Sequence, residues 1–233
     1  MNAMPRGQQF WDKEYADSKN FSLSTEPAED LLKFTRWMER NFGNELLNPL
    51  LNVLDLGCGN GRNLIYLAKT YGCRGIGYDL SGVAVNQAKV AAEGLKLNFT
   101  SRTIAGKFDL PDSSFGLAVD MMTSHYLNKS DREELRSEIS RVLKPGGWLL
   151  YKTFLLEDDI NARRMLRENP ANEENTYIHP TIGTTEHVST EEEVENFFGK
   201  DFDIVKIEKT GKHIIRGRAG KRRSLIAYLQ KKF

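Results

Sequence analysis

The residues with the clearest chemical potential stand together in Asp55–Asn63, DLGCGNGRN. Gly57, Gly59 and Gly61 fall so close together that the backbone can take positive φ and a ligand can lie directly on it. The apolar run Val53-Leu54-Asp55-Leu56 before them is short enough for a strand buried on both faces. Leu64, Ile65, Leu67 and Ala68 after them follow a helical pattern, whose first turn leaves unpaired N–H groups facing the same space. Strand, glycine turn and helix make a nucleotide-type cradle at the carboxyl end of a parallel strand.

The dinucleotide fingerprint is G-x-G-x-x-G, whereas here the third glycine comes one residue early and Arg62 holds the sixth place. Asp55, two residues ahead of the first glycine, would repel a pyrophosphate; it suits a ligand carrying an ammonium and a sulfonium. Asp79 ends the next apolar stretch, CRGIGYD, roughly twenty residues beyond the loop, where an acid can take both hydroxyls of a ribose. Ser81 supplies the cap for the helix over Val83–Gly94, which leaves Asp79 for the ligand.

The block D-L-G-C-G-N-G resembles motif I of the class I S-adenosyl-L-methionine (SAM)-dependent methyltransferases. Lys144-Pro145-Gly146-Gly147, a turn into a fifth strand over Trp148–Phe154, and the L-P-D-x-S-F run from Leu110 to Phe115 resemble the same family. The opening W-D-x-x-Y of Trp11–Tyr15 is similar to the segment with which the tellurite-resistance and thiopurine methyltransferase types close over their cofactor. The resemblance covers nearly the whole chain. It implies an α/β fold with a Rossmann-like, doubly wound sheet of seven strands in the order 3-2-1-4-5-7-6, the last strand antiparallel. It implies an enzyme that converts SAM to S-adenosyl-L-homocysteine while methylating O, N or S of a small-molecule acceptor. The cofactor residues implied are Trp11, Tyr15, Asp55, Gly57, Cys58, Gly59, Gly61, Asn63, Asp79, Leu80 and Met121. Where the family usually carries an acid for the adenine amine this chain has Gly106; backbone at Lys107 and Phe108, with the Phe108 ring, is the expected substitute, and a register using Asp109 is the alternative.

These elements must position the acceptor chemistry as well. His125 is the titratable side chain just past the fourth strand (Phe115–Met122), near where a transferred methyl should project; it is read either as a catalytic base or as a polar residue packed beside Tyr126. Tyr15, Tyr126, Tyr177, His179 and His187 are secondary candidates. Trp11 and Tyr15, four apart, share one helix face and either pin it to the core or form a lid. Pro27–Phe42 reads as an amphipathic helix ended by Gly43 and Asn44, and Ser130-x-x-Glu133 and Thr190-x-x-Glu193 as capping boxes. Glu157–Glu168 reads as a helix with acids in its first turn, and Asn169–Val188 as a long loop of the kind that walls a substrate site.

The chain is one domain over residues 1–233 on this reading, with an N-terminal helical cap over 1–45 and a lid insertion over 157–188. Its 33 basic and 32 acidic residues create no global field for nucleic acid or membrane. No apolar run approaches the ~20 residues of a membrane span, and MNAMPRGQQFWDKEY lacks a secretory pattern. Cys58 and Cys73 have neither metal nor disulfide spacing, and no metal-ligand cluster appears. The expectation is a cytoplasmic monomer or homodimer with reduced thiols and no metal. One basic tract, Lys206–Arg223, is either a solvated hairpin loop or a grip for an anionic substrate or RNA phosphates. The end of the fourth strand reads DMMT and lacks the [DN]-P-P-[YF] of enzymes that methylate nucleobase amines, which favours a small acceptor. The alternatives are an RNA or protein methyltransferase docking through that tract, or a SAM-binding protein without turnover.

Overall fold

The computed structural model describes residues 6–21, 23–210, 214–215, 218–219 and 222–233. Its frame is set by strands whose alternate residues serve two cores. In β1 (Asn52–Leu56), Val53 packs into one hydrophobic cluster while Leu54 and Leu56 pack into the other. That period of two is what a strand covered on both faces requires. After it come α3 (Arg62–Tyr71), β2 (Arg74–Asp79), α4 (Gly82–Ala91), β3 (Leu97–Ser101), β4 (Phe115–Met121), α5 (Lys129–Val142) and β5 (Leu143–Phe154). Before it lie α1 (Arg6–Ala16) and α2 (Glu29–Phe42). Beyond β5 the chain forms α6 (Ile160–Glu168), β6 (Thr176–Ile178), β7 (Thr185–His187), α7 (Glu191–Phe198), β8 (Phe202–Lys209), β9 (Ile214–Ile215), β10 (Arg218–Ala219) and β11 (Ser224–Lys231).

Seven strands form the main sheet in the order β3-β2-β1-β4-β5-β11-β8, with β6–β7 and β9–β10 as separate hairpins. Counting sheet strands alone, this is the anticipated 3-2-1-4-5-7-6. β1 through β5 pair in parallel, and β11 runs antiparallel to both β5 and β8. One face is covered by α2, α3 and α4 around Phe34, Trp148 and Tyr228, whose rings meet with centroids 4.9 to 6.4 Å apart. The other is covered by α5 and α7 around Phe108, Phe198 and Phe202. Trp148 is 2% exposed, so truncating it to Ala would cost about 3–5 kcal/mol.

Local chemistry fixes most helix starts. Ser81 Oγ accepts from Ala84 N at 3.1 Å, and Thr190 Oγ1 accepts from Glu193 N at 3.0 Å, both as anticipated. Three expectations are corrected. α5 is capped by Asn128, whose Oδ1 accepts from Asp131 N at 2.9 Å, two residues before the Ser130 box. α6 starts after its acids, because Asp159 is its cap and Glu157 and Asp158 lie outside the first turn. Asn169–Val188 is no open loop: β6 and β7 pair within it, with Tyr177 fully buried between them and α6. Lys144–Gly147 also falls inside the bounds of β5, where Gly146 takes φ 72° and the pairing with β4 slips between Phe115 and Leu117.

Candidate functional site

At the carboxyl edge of β1 the chain reverses because Gly57 N and Cys58 N both donate to Tyr78 O, at 2.7 and 2.9 Å. Gly59 N then donates to Asp79 Oδ2 at 2.8 Å, while Asp79 Oδ1 accepts from Ser81 N at 2.8 Å. One carboxylate at the end of β2 therefore ties the glycine loop to the start of α4. Gly59 sits at φ 55°, and a Cβ there would meet Tyr15 Oη at 2.2 Å. At Gly57 a Cβ would lie 2.1 Å from Thr123 Oγ1. Burial raises the Asp79 carboxyl above the usual range against the hydrogen bonds from Ser81 and Gly59.

Beneath the loop Asp55 is 3% exposed, and its Oδ2 has no hydrogen-bond partner among the described residues. Burial first, then the neighbouring Asp79 and Asp120 charges, push it up to about 7, against the pull of Arg62. This buried carboxyl below a backbone cradle fits a cationic ligand group, and it fits a phosphate poorly.

α1 closes the loop from above. Asp12 Oδ1 accepts from Ser81 Oγ at 2.7 Å and Val83 N at 3.2 Å, and Gln87 Nε2 donates to Tyr15 O at 2.8 Å. Glu14 is 2% exposed and gathers the backbone N–H groups of Lys19, Asn20 and Phe21 at 2.9, 2.6 and 2.7 Å. Burial alone would raise it, but those bonds and the Asn20 amide hold it at about 2. The turn so formed sets the Phe21 ring 5.3 Å from Trp11, and Trp11 also faces Tyr126 at 6.1 Å. Segment 23–28 is held to the glycine loop by Asn60 Nδ2 donating to Ser24 O at 3.1 Å and to α3 by Ala28 N donating to Asn63 Oδ1 at 2.9 Å.

These pieces enclose a cavity of about 500 Å³. Trp11, Tyr15, Gly57, Cys58, Gly59, Asn63, Asp79, Leu80 and Met121 of the sequence-derived set line it. Five others do not. Asp55 lies under the loop; Gly61 packs its backbone against Phe99 and Ala88, where a Cβ would come within 2.9 Å of the Phe99 ring. Phe108 is core: it is 1% exposed, its ring faces Tyr78 at 5.5 Å, and its N–H donates to Glu138 Oε2 at 2.8 Å. Lys107 is exposed and its carbonyl accepts from Arg102, so neither residue offers its backbone to the cavity; Thr103 and Ile104 form that wall instead.

His125 is the fifth. It is 1% exposed, with its ring 4.1 Å from Tyr126 and 5.2 Å from Phe154, and Tyr126 takes the place on the cavity wall expected for it. Burial, then the Arg222 charge, push it down to about 3, so its ring is neutral at ordinary pH. Tyr177 and His187 are likewise interior. Tyr177 donates to Glu186, while His187 bonds Thr176 Oγ1 at 2.9 Å and Glu193 Oε1 at 2.7 Å. His179 is half-buried, with Nδ1 accepting from Thr181 N and Ile182 N.

Where it is described the basic tract is paired with carboxylates, and Arg222 and Arg223 turn inward. Arg222 lies 3.9 Å over the Phe154 ring and pairs with Glu186 at 3.0 Å and Asp159 at 3.4 Å. Arg223 pairs with Asp158, Lys209 with Glu191, and Lys206 with Glu208. Lys212, Arg216 and Lys221 lie outside the described residues, as does the Arg218 side chain. Among the described residues no helix is long and apolar enough to cross a membrane.

Sequence reasoning missed Asp12, Glu14, Phe21, Met122, Thr184 and Lys152. Asp12 and Glu14 sit inside the quoted W-D-x-x-Y segment, so their acidity was a visible signal. Phe21, Thr184 and Lys152 reach the cavity only through the turn, the β6–β7 hairpin and the β4–β5 register.

Residues 53–147 match the methyltransferase domain family. A glycine/sarcosine/dimethylglycine N-methyltransferase of Actinopolyspora halophila is 28% identical over 70% of this chain and 31% of its own length. A tRNA N(3)-methylcytidine methyltransferase of Schizosaccharomyces pombe is 26% identical over 99% of this chain and 75% of its own. A SAM-dependent methyltransferase structure from Methanosarcina mazei superposes with TM-score 0.67 at 26% identity, over 78% of this chain and 92% of that one. The chain spans 31%, 58% and 49% of the lengths of three curated relatives it matches. Sheet order, glycine cradle and these likenesses agree: the chain carries a methyltransferase domain of the class I, SAM-dependent kind.

Proposed function

We propose that the protein transfers the methyl group of SAM to O, N or S of a small-molecule acceptor, releasing S-adenosyl-L-homocysteine. The observation that carries this is the clasp of Gly59 N–H on Asp79 at the floor of the 500 Å³ cavity. Asp79 keeps lone pairs for ribose hydroxyls, and Asp55 below the loop favours a cationic group above it. Trp11 and Tyr15 form the lid, and Leu80 and Met121 flank the remainder. SAM, when bound, supplies an activated methyl group; the protein's part is alignment and exclusion of water.

Calorimetric titration with SAM and with NAD tests the reading. SAM should bind and NAD should not, and Asp79→Ala should weaken SAM by about 1.5–3 kcal/mol. Binding of NAD alone would reject the assignment.

A second reading, methylation of RNA, is favoured by the tRNA-modifying relative that aligns over 99% of this chain. The burial of Arg222 and Arg223, whose side chains are 22% and 15% exposed, speaks for the small molecule. Incubation with methyl-labelled SAM and a fractionated extract separates the two. Label is expected in the low-molecular-weight fraction; label confined to RNA would replace the small-molecule reading.

A further inference from the structure

The end of the cavity away from the glycine loop has its own chemistry. Trp11 stands between Phe21, at 5.3 Å, and Tyr126, at 6.1 Å, and Met122 and Leu127 complete an apolar wall. Glu14 fixes Phe21 there through its backbone N–H. Rings at such spacings offer faces and edges to a flat guest.

That end contains no imidazole among the described residues. His125 is sealed behind Tyr126, His187 is held by Thr176 and Glu193, and His179, whose ring lies 6.5 Å from Phe21, is outside the cavity lining with its Nδ1 taken by Thr181 N and Ile182 N. Tyr15 and Tyr126 are both driven upward by burial, so neither phenol takes part as a base. Lys152 lines the same cavity, set beside Met121 by the β4–β5 register. Its ammonium bonds Asp30 Oδ2 at 2.5 Å, and Asp30 Oδ1 is already shared with Lys33 at 3.3 Å. An ammonium has three donors, so Lys152 keeps hydrogen-bonding capacity beyond Asp30. Glu29 pairs with Lys33 at 3.3 Å as well, so Lys152 draws an oxygen anion through its remaining donors rather than through net charge, and those donors offer nothing to an ammonium guest.

We propose that the acceptor is a planar aromatic molecule with an ionisable hydroxyl, held as its phenolate against the wall of Trp11, Phe21 and Tyr126 with its oxygen hydrogen-bonded by Lys152. The proposal rests on the methyltransferase reading above. Transfer forms the O–C bond as the S–C bond breaks, with that electron pair staying on sulfur. The hydroxyl proton leaves to water beforehand, which is why the wall needs no base.

The test is equilibrium dialysis of 4-nitrophenol, cyclohexanol and benzylamine against protein saturated with S-adenosylhomocysteine. Saturable binding of 4-nitrophenol is expected, with the other two at least roughly tenfold weaker. Lys152→Met should weaken 4-nitrophenol roughly tenfold or more, Lys152→Arg should restore it, and Phe21→Leu should weaken it independently. Affinity for S-adenosylhomocysteine should stay within about twofold in Lys152→Met. Methylation of 4-nitrophenol should rise with pH along the probe's own ionisation and move when a less acidic phenol replaces it. Binding of S-adenosylhomocysteine with no saturable 4-nitrophenol binding, or with benzylamine or cyclohexanol bound as tightly, overturns the acceptor class alone. Failure of S-adenosylhomocysteine itself to bind overturns the functional reading, and the acceptor proposal with it.

Discussion

The phenol oxygen of Tyr15 rests against the backbone of Gly59, so close that a Cβ on that glycine would lie 2.2 Å from it. Lid and loop therefore meet with only a glycine's thickness between them. Gly59→Ala should displace Tyr15 and strain a residue held at φ 55°. A left-handed non-glycine residue costs about 1–2 kcal/mol, which a thermal melt would register. SAM affinity should fall as well; calorimetry finding it unchanged would remove Gly59 from the site.

The α1 helix is joined to the body by polar hooks more than by core. Trp11 and Tyr15 belong to neither of the large apolar clusters, while Asp12 holds Ser81 and Val83 N. Deleting residues 1–20 should raise the SAM dissociation constant and leave the melting temperature of the free protein nearly unchanged. Asp12→Ala should reproduce the affinity loss in part. A large drop in melting temperature would make α1 a structural element.

Asp55 makes cofactor binding depend on pH. Its folded value near 7 lies above the ordinary carboxylate value of about 3.9, so in the free protein it carries a proton at pH 6. The sign follows: folded protein binds more protons than unfolded between about pH 4 and 7, and the stability of the free protein falls as pH rises through that window. A cationic ligand overhead favours the ionised form, so SAM binding at pH 6 should release a proton. Calorimetry in buffers of different ionisation enthalpy should detect the release at pH 6, lose it well above pH 7, and miss it in Asp55→Asn.

Glu14 has the opposite sign. Its folded value of about 2 lies below the ordinary carboxylate range, so its stabilisation is complete above about pH 4 and is lost as pH falls toward 2. Glu14→Gln should release the turn carrying Phe21 at neutral pH. Trp11 emission should then shift toward that of a solvated indole, with far-ultraviolet dichroism preserved. An unmoved Trp11 spectrum would show that Glu14 does not hold the aromatic wall.

Arg222 is a structural cation. Asp159 and Glu186 have side chains 0% and 2% exposed, and Arg222 pairs with both while its guanidinium lies over the Phe154 ring. Breaking such a buried set by removing one partner costs about 3–5 kcal/mol, so Arg222→Gln should lower the denaturation midpoint markedly. Replacing Arg216, Arg218, Arg222 and Arg223 together by Gln should then destabilise the fold, with no steeply salt-dependent tRNA affinity to lose. Sub-micromolar tRNA binding at physiological salt would restore the nucleic-acid reading.

Sequence by itself determined the sheet and the cradle. Period-two burial, glycine spacing and the acids at Asp55 and Asp79 are local patterns, and β1, α3, β2 and the Ser81 cap follow from interactions between near neighbours. Only tertiary structure decided the rest, because burial depends on residues far apart in the chain. His125 looked like a base from its place after β4, yet Tyr126, Phe154 and Arg222 converge to seal it. Phe108 sat at the expected turn, but Glu138 of α5, 30 residues on, claims its N–H and turns its ring into the core. The tract 206–223 read as one charge run; the Asp159 cap of α6 and Glu186 of the β6–β7 hairpin bring buried carboxylates to Arg222 and make it part of the interior. A lone charged or aromatic residue in a sequence carries no record of the partners that folding brings to it, and those long-range partners decide whether it faces a ligand or supports the wall behind one.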